Sequence, residues 1–309
     1  MGGTKIAAGV VSPGGEVLAA VRYPTPRSPE KLVETMVRAI REAGSGNDVA
    51  GVCLAVPGFI LAQEERVVFS PNLRAIEGIR LKEKVGAEVE VPLTVENDAN
   101  AAAWGEFRFG SGSEVDDLVF LTLGTGIGGG VISHRALLRG AQGSGGELGH
   151  VTVYADGPLC ACGNRGCLEA LASGTAIGRR AREAAVENPD SALGRVATRR
   201  DVLGEDVTGL AREGDELALS VLEETGRWLG IGLAGFVNVF NPEVVAVGGG
   251  AMEAGDLILA PARREVLLRA RPPSRDFVEI KEATLGPDSG VLGAAALARD
   301  ADGAYVLGG

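Results

Sequence analysis

Residues 116–133 read DDLVFLTLGTGIGGGVIS. The first eight, with five of the last six apolar, predict a strand buried in a core. The ten that follow, GTGIGGGVIS at 124–133, echo an earlier ten, GTKIAAGVVS at 3–12. Aligned without gaps, the two agree at Gly, Thr, Ile, Gly, Val and Ser, and set Val against Ile beside them. One reading is chance matching of glycine-rich strands. The other is a duplicated domain, each half carrying a glycine loop at the start of a β-hairpin. Only the later copy has a strand ahead of its loop, so duplication predicts a further strand upstream of Met1.

Working outward, strands alternate with helices, which predicts an α/β fold. An amphipathic helix is expected around 29–43. VAGVCLAVPGFI at 49–60 reads as a buried strand ending at Pro57-Gly58, and 91–110 as a strand, a polar turn and an Ala-rich helix. Helices are expected over 174–188 and roughly 213–240. PEVVAVGGG at 242–250 is a strand into a glycine turn with a helix after it, and 289–301 is a small-residue helix. No low-complexity linker separates two halves, so the boundary near Gly110 is soft, and the final helix can pack back onto the first half.

The chain has 309 residues, enough for two domains or one large one. Its formal net charge of −11 argues against non-specific nucleic-acid binding. It leaves ATP open, because phosphate sites are built from local backbone amides and a few cations. No apolar run reaches membrane-spanning length and no basic-then-apolar leader is present, so the chain is expected to be cytoplasmic. Three of the four cysteines lie within eight residues, a spacing that points to metal rather than disulfides.

Four segments carry chemistry. LGTGIGGG at 123–130 holds a GxGxxG at Gly124, Gly126 and Gly129. A dinucleotide site needs a helix straight after the loop. GVISHRALLRG follows instead, so a hairpin is expected and the dinucleotide reading is rejected. The glycines let backbone approach phosphate, with Thr125 as a further donor; a plain tight hairpin stays open. In VENDANAAAWGE at 95–106, Asp98 stands where a strand gives way to a helix. It is either an N-cap or a general base at a strand's carboxyl end, with Asn97 beside it to hold a hydroxyl. GELGHVTVYADGPLCACGNRGCLEALASG at 146–174 supplies His150, Cys160, Cys162 and Cys167, one imidazole and three thiols, a structural zinc composition. Glu147 and Glu169 bracket it, as acceptors for sugar hydroxyls or as surface charges. Cys53 is expected in the core and His134 at a solvated turn. The turn Gly248 to Gly250 suits the adenosine end of a nucleotide or a plain βα connection.

Together these residues resemble the ROK family of sugar kinases and repressors. The resemblance rests on GGTK at 2–5, ENDANAAAWGE at 96–106, LGTGIGGG, GELGH, the Cys-x-Cys-Gly-x-x-Gly-Cys-Leu-Glu stretch and NPEVVAVGGG, and runs from Gly2 to the final helix. It implies an actin-like, ribonuclease-H-like ATPase fold, two similar α/β domains closing around a cleft, with a zinc knuckle in the second. The expected division is 1–109, completed by 289–309 and lacking its first strand, against 110–288 with the zinc segment at 147–169. The resemblance implies ATP-dependent phosphorylation of a hexose at its 6-hydroxyl, glucose foremost, with magnesium and a structural zinc ion. N-acetylmannosamine, N-acetylglucosamine and fructose are alternative substrates.

By motif, the resemblance makes Asp98 the base. It has Gly58, Asn72, Asn97, Glu147, His150 and Glu169 hold the sugar, His150 while also binding zinc beside Cys160, Cys162 and Cys167. It turns Gly3, Thr4, Lys5, Gly124, Thr125 and Gly126 to the phosphates and Gly249 and Gly250 to the adenosine. Family members write the first loop Asp-x-Gly-Gly-Thr, and that magnesium-holding Asp would fall one place before Met1. A homo-oligomer, dimer or tetramer, is implied. The rival classes are a sugar-sensing transcriptional repressor, which would carry a DNA-binding domain ahead of this region, and a sugar-binding pseudokinase.

Overall fold

The computed structural model describes residues 1–300 except 62, 63, 65, 71 and 72. In chain order its elements are β1 (Lys5–Val11), β2 (Val17–Pro24), α1 (Pro29–Gly44), β3 (Val52–Val56), β4 (Phe59–Leu61), β5 (Arg66–Phe69), α2 (Leu81–Gly86), β6 (Leu93–Asn97) and α3 (Asp98–Phe109). There follow β7 (Leu118–Leu123), β8 (Ile127–Ser133), β9 (Ala136–Leu137), α4 (Leu168–Ala172), α5 (Gly174–Glu187), α6 (Ala192–Ala197), α7 (Gly204–Arg212) and α8 (Glu216–Phe240). The chain closes with β10 (Val244–Gly248), α9 (Asp256–Arg269), α10 (Ser274–Phe277), β11 (Glu279–Glu282) and α11 (Ser289–Asp300).

Two compact units result. The first comprises Met1–Asp116, Gly130–Gly146 and the chain from Thr284 onward; the second comprises Asp117–Gly129 and Glu147–Ala283. This differs from a division at 109/110 and 288/289. The chain leaves the first unit only after the segment 110–116, and returns to it for residues 130–146, the later part of β8 with β9.

In the first unit β1 pairs antiparallel with β2, and β3 pairs parallel with β6 in the register Val52↔Leu93 to Val56↔Asn97. Helix α1 starts where Ser28 caps Lys31 and Pro29 supplies a preset φ. Its Leu32, Met36, Ala39 and Ala43 recur at helical spacing and are buried with Ile6, Leu54 and Val56. Helices α3 and α11 pack backbone to backbone. A Cβ on Gly293 would stand 1.6 Å from the Ala101 carbonyl, and one on Gly105 2.4 Å from that of Ser289. Trp104 Nε1 donates to Asp300 Oδ2 at 3.1 Å, and Arg108 pairs with the same carboxylate. Glu106, wholly buried, accepts from Ser111 N and Oγ and from Thr284 N, Thr284 Oγ1 and Leu285 N at 2.8–3.3 Å.

In the second unit β7 runs parallel to β10, and β10 parallel to β11. Leu118 to Leu121 are at most 2% exposed, as expected of a strand covered on both faces. The order of the full sheet is β11-β10-β7-β8-β9. Helix α8 begins on an Asp215 cap and ends at Asn241 in the left-handed region, φ 46°. Gly226 and Gly230 let it lie directly against the backbone of α9. The structure has strand β8 where a dinucleotide fold would have a helix. The β8–β9 hairpin turns through His134 and Arg135, φ 49° and 64°. Among the described residues no helix is long and apolar enough to cross a membrane.

Candidate active site

Parallel sheets bind ligands beyond the carboxyl ends of their strands. In the first unit the end of β6 carries Asn97 and the first residue of α3 is Asp98. The cap role falls to Asn97: its Oδ1 accepts from Ala99 N at 2.8 Å and Asn100 N at 3.1 Å, and its Nδ2 donates to the Gly58 carbonyl at 3.1 Å. The Asp98 carboxylate stands beside that cap and also takes the Ala99 and Asp98 amides. Gly58 has φ 110°, and a Cβ there would fall 2.4 Å from the Phe69 carbonyl, so only glycine fits. Asn72 lies outside the described residues.

Behind this turn stands a network that motif reading missed. Glu96, 6% exposed, accepts from Asn97 N at 2.9 Å and Asn100 Nδ2 at 3.0 Å through Oε1. Its Oε2 takes Arg139 Nε at 2.7 Å. The ion pair fixes the loop that presents Asp98. A buried Glu immediately before an Asn-Asp turn was the available signal; its partner, 43 residues away, was not.

Burial pushes the Asp98 carboxyl above its ordinary value, the amino group of Met1 and the Ala99 amide opposing. The Met1 ammonium is lowered by its own burial, with Asp98 acting against that. A carboxylate raised in this way is a better proton acceptor than a solvated one. Gly3, Thr4 and Lys5 lie exposed on a turn in which Gly2 N donates to Lys5 O at 2.9 Å and Thr25 N to Thr4 O at 3.1 Å.

In the second unit the glycine turn between β7 and β8 closes on itself. Gly124 N donates to Gly126 O at 2.9 Å, Gly174 N to Gly124 O at 2.8 Å, and Thr175 Oγ1 to Thr125 O at 2.7 Å. Glu169 of α4 accepts from Ile127 N at 2.9 Å, and a Cβ on Gly126 would lie 2.2 Å from that same carboxylate oxygen. Gly249, φ 93°, sits over the end of β7: a Cβ there would be 2.4 Å from the Leu123 carbonyl. Gly249 is thereby held beside the strand that ends at Gly124. Gly250 stands in open space.

Glu147 and His150 flank a short 3-10 turn, and His150 Nδ1 is 3.8 Å from Cys160 Sγ. The ligand atoms of His150, Cys160, Cys162 and Cys167 all lie within 4.8 Å of one another. Cys162 and Cys167 sulfurs are 3.7 Å apart. A tetrahedral ion with thiolates at about 2.3 Å sets neighbouring sulfurs about 3.8 Å apart, so the four donors fit a zinc-sized cation in number, type and spacing. Burial pushes the Cys160 and Cys167 thiols up, while hydrogen bonds from the Asn164 amide and the two neighbouring thiols outweigh burial and lower Cys162. Glu169 Oε1 is 3.4 Å from Cys160 Sγ, which ties α4 to the cluster. Cys53 stands in β3 as expected but is only half-buried.

The sequence profile of the ROK family matches residues 1–301. A glucokinase of Streptomyces coelicolor is 40% identical over 307 residues, 98% of this chain and 96% of that protein. The ROK family glucokinase of Streptomyces griseus, solved with glucose and AMPPNP, superposes with a TM-score of 0.84 at 40% identity, covering 97% of each chain. The xylose repressor of Bacillus subtilis is 32% identical over 93% of this chain and 72% of its own length.

Proposed function

The chain belongs to the ROK family, with its actin-like α/β ATPase fold, and from that premise we propose that it is an ATP-dependent hexokinase that phosphorylates glucose at the 6-hydroxyl. The observation that carries the reading is Asp98. It follows the end of a parallel strand, leaves the cap contact with Asn100 N to Asn97, and has a carboxyl raised by burial.

In the reaction Asp98 accepts the proton of the sugar 6-hydroxyl as that oxygen bonds to the γ-phosphorus of ATP and the bond to the bridging oxygen breaks, releasing ADP. Such transfers depend on positioning and charge stabilisation more than on covalent help. Asn97, Glu147, His150 and Glu169 orient the sugar, with Gly58 holding Asn97 and Asn72 assigned to the same role by motif. Gly124, Thr125 and Gly126, and Gly3, Thr4 and Lys5, serve the phosphates. Gly249 and Gly250 give the adenosine room that side chains would fill. Magnesium, bound with ATP, neutralises phosphate charge. Zinc on His150, Cys160, Cys162 and Cys167 would orient the His150 ring and α4, which carries Glu169.

The test is ADP release from magnesium-ATP with glucose, fructose, mannose, N-acetylglucosamine and N-acetylmannosamine. Turnover with glucose at the highest kcat/KM is expected. Turnover on an acetamido sugar alone would move the substrate within the family. Silence on every sugar, with saturable glucose binding, would favour a sensor. The match to a repressor over most of this chain motivates that second reading. The net charge of −11 weighs against DNA contact by these residues themselves. Operator-length DNA shifted by the protein and released by a sugar would support the sensor.

A further inference from the structure

Helix α4 is five residues long and carries Glu169, whose carboxylate accepts from Ile127 N at 2.9 Å and lies 3.4 Å from Cys160 Sγ. Five residues make less than one and a half turns, too few to hold a helix by its internal bonds. Its place is set from outside. At its start Leu168 N donates to Val151 O at 2.9 Å, and Cys167 of the metal-type cluster precedes it. On one face Leu168, wholly buried, packs over Gly232 of α8, where a Cβ would stand 2.7 Å from the leucine side chain. The far end is held by an arginine.

Arg180 of α5 is only 7% exposed, and its guanidinium reaches three groups. One terminal nitrogen donates to the Leu171 carbonyl near the end of α4. The other donates to Thr225 Oγ1 at 3.0 Å, and Nε pairs with Glu224 Oε1 at 3.2 Å. The buried Thr225 hydroxyl gives its own proton to Val221 O at 2.8 Å, so toward the arginine it acts as acceptor. Arg179 beside it adds a longer bond to Ala170 O, at 3.3 Å.

The same stretch of α8 also meets the segment that leads into α4. Glu224 Oε1 accepts from Trp228 Nε1 at 3.1 Å, and the Trp228 ring stacks on Tyr154 with centroids 5.5 Å and planes 15° apart. Tyr154 is enclosed by the metal segment: a Cβ on Gly166 would stand 1.5 Å from its carbonyl oxygen. A buried ion pair is often no more stabilising than apolar residues of the same volume. What the guanidinium supplies is direction. Planar, with donors fixed on its sides, it holds a carbonyl, a hydroxyl and a carboxylate together, which an ammonium cannot.

We propose that Arg180 is a positioning residue for Glu169: by clamping the Leu171 carbonyl it sets the orientation of α4, and so the place of the Glu169 carboxylate beside the Ile127 amide. Where Glu169 is a sugar ligand, the reading on which this consequence rests, loosening the clamp weakens glucose and leaves the proton transfer at Asp98 and the hold on ATP as they were.

The test is Arg180→Lys, which keeps the charge and loses the fork. Its control is Arg182→Lys, an arginine of the same helix that donates to Val202 O at 3.3 Å. Hydrogen exchange at the Ile127 amide reads the Glu169 carboxylate directly and needs no substrate. Arg180→Lys should speed it by about tenfold while β10 keeps its protection. The KM for glucose should rise about five- to tenfold, with kcat and the KM for ATP changed less than about twofold. In a Glu169→Gln background the same substitution should add less than about twofold to KM, because the group it positions is already gone.

Ile127 exchange no faster than in Arg182→Lys overturns the proposal, as does a KM rise that adds in full to that of Glu169→Gln. Faster exchange throughout the second unit also overturns it, since that is lost stability rather than lost position. If Arg180→Lys does not fold, Glu224→Gln takes its place. That side chain is 50% exposed, and its neutral form loosens the same guanidinium. It should speed exchange selectively at Ile127 by a smaller factor, and an unchanged amide there overturns the proposal. Wild-type protein that neither binds nor phosphorylates any sugar would overturn the kinase reading alone, with the Ile127 amide deciding for or against Arg180 as before.

Discussion

The two glycine turns of this protein begin from nearly the same ten residues and are supported in opposite ways. The turn at Gly124 to Gly126 follows a fully buried strand, hydrogen-bonds to itself and to Gly174, and is filled on its inner side by Glu169. The turn at Gly2 to Lys5 is exposed, touches the fold through Thr25 and Met1, and leaves open space around Gly2. Similar sequence thus yields a turn packed on its inner side in one unit and an exposed one in the other. What differs is the neighbouring backbone. The same contrast extends to the proposed chemistry: the first unit would offer the base, on a turn braced by Glu96 and Arg139, while the second would offer backbone and a metal-type cluster to position ligands.

The largest effect expected from this division of labour is on Asp98. Asp98→Asn should lower kcat by about 10²–10⁴-fold with the KM for glucose changed little, read by steady-state ADP release. Glu147→Gln, in the second unit, should instead raise KM more than it lowers kcat. Equal losses in both constants from both variants would erase the division.

Next in size is the cluster. Elemental analysis of the purified protein should give one equivalent of metal per chain, and Cys162→Ser should abolish it and lower the melting midpoint. It should speed hydrogen exchange over 147–169 while leaving β3 and β6 as they were. Metal retained at full stoichiometry would remove Cys162 from the ligand set. Smaller again is the pair Gly126→Ala and Gly2→Ala. The first must displace the Glu169 carboxylate and should cost about 1–3 kcal/mol in denaturant unfolding. The second meets no atom within 4 Å and should stay within about 0.5 kcal/mol. Similar costs would mean that the two turns are equally supported.

The subtlest effect is on pH. Asp98 acts as a base only when ionised, and burial raises its carboxyl above 3.8. The acid limb of kcat/KM should accordingly fall off at higher pH than an exposed aspartate would give. The same shift makes the ionised carboxylate a cost to folding: relative to an exposed Asp, the site gains stability as pH drops through the raised value. Asp98→Asn should abolish the limb in its residual activity. A limb unchanged in that variant would assign it elsewhere.

Much of this was legible in local sequence. Residues 118–121 are apolar and end at a glycine turn, and the β-branched residues after Gly130 call for a strand, so β7 and β8 could be read directly. The cysteine spacing converged on one cluster because Gly163 and Gly166, both at positive φ, fold the intervening chain back sharply. What escaped reading was everything that depends on distant partners. Asp98 read by itself more like a cap than a base, and the structure gives the cap contacts with Ala99 N and Asn100 N to Asn97. Glu96 gave no hint of Arg139. Glu106 looked like one charge on an Ala-rich helix, yet its partners at 284 and 285 lie about 178 residues onward. The assignment of 130–146 to the first unit has no compositional mark at all.

Glu106 and Gly293 have a bearing on how mutational tolerance in this chain will read. Neither faces the reacting groups, but one gathers five hydrogen bonds in a dry site and the other has a carbonyl where a methyl group would go. In a growth-based scan of substitutions both should be as intolerant as Asp98. Assayed as purified survivors, their variants should show nearly normal kinetic constants at low yield. Depletion in such a scan would therefore mark two populations of residues, those that do the chemistry and those without which too little protein accumulates, and only abundance measured beside activity would tell them apart.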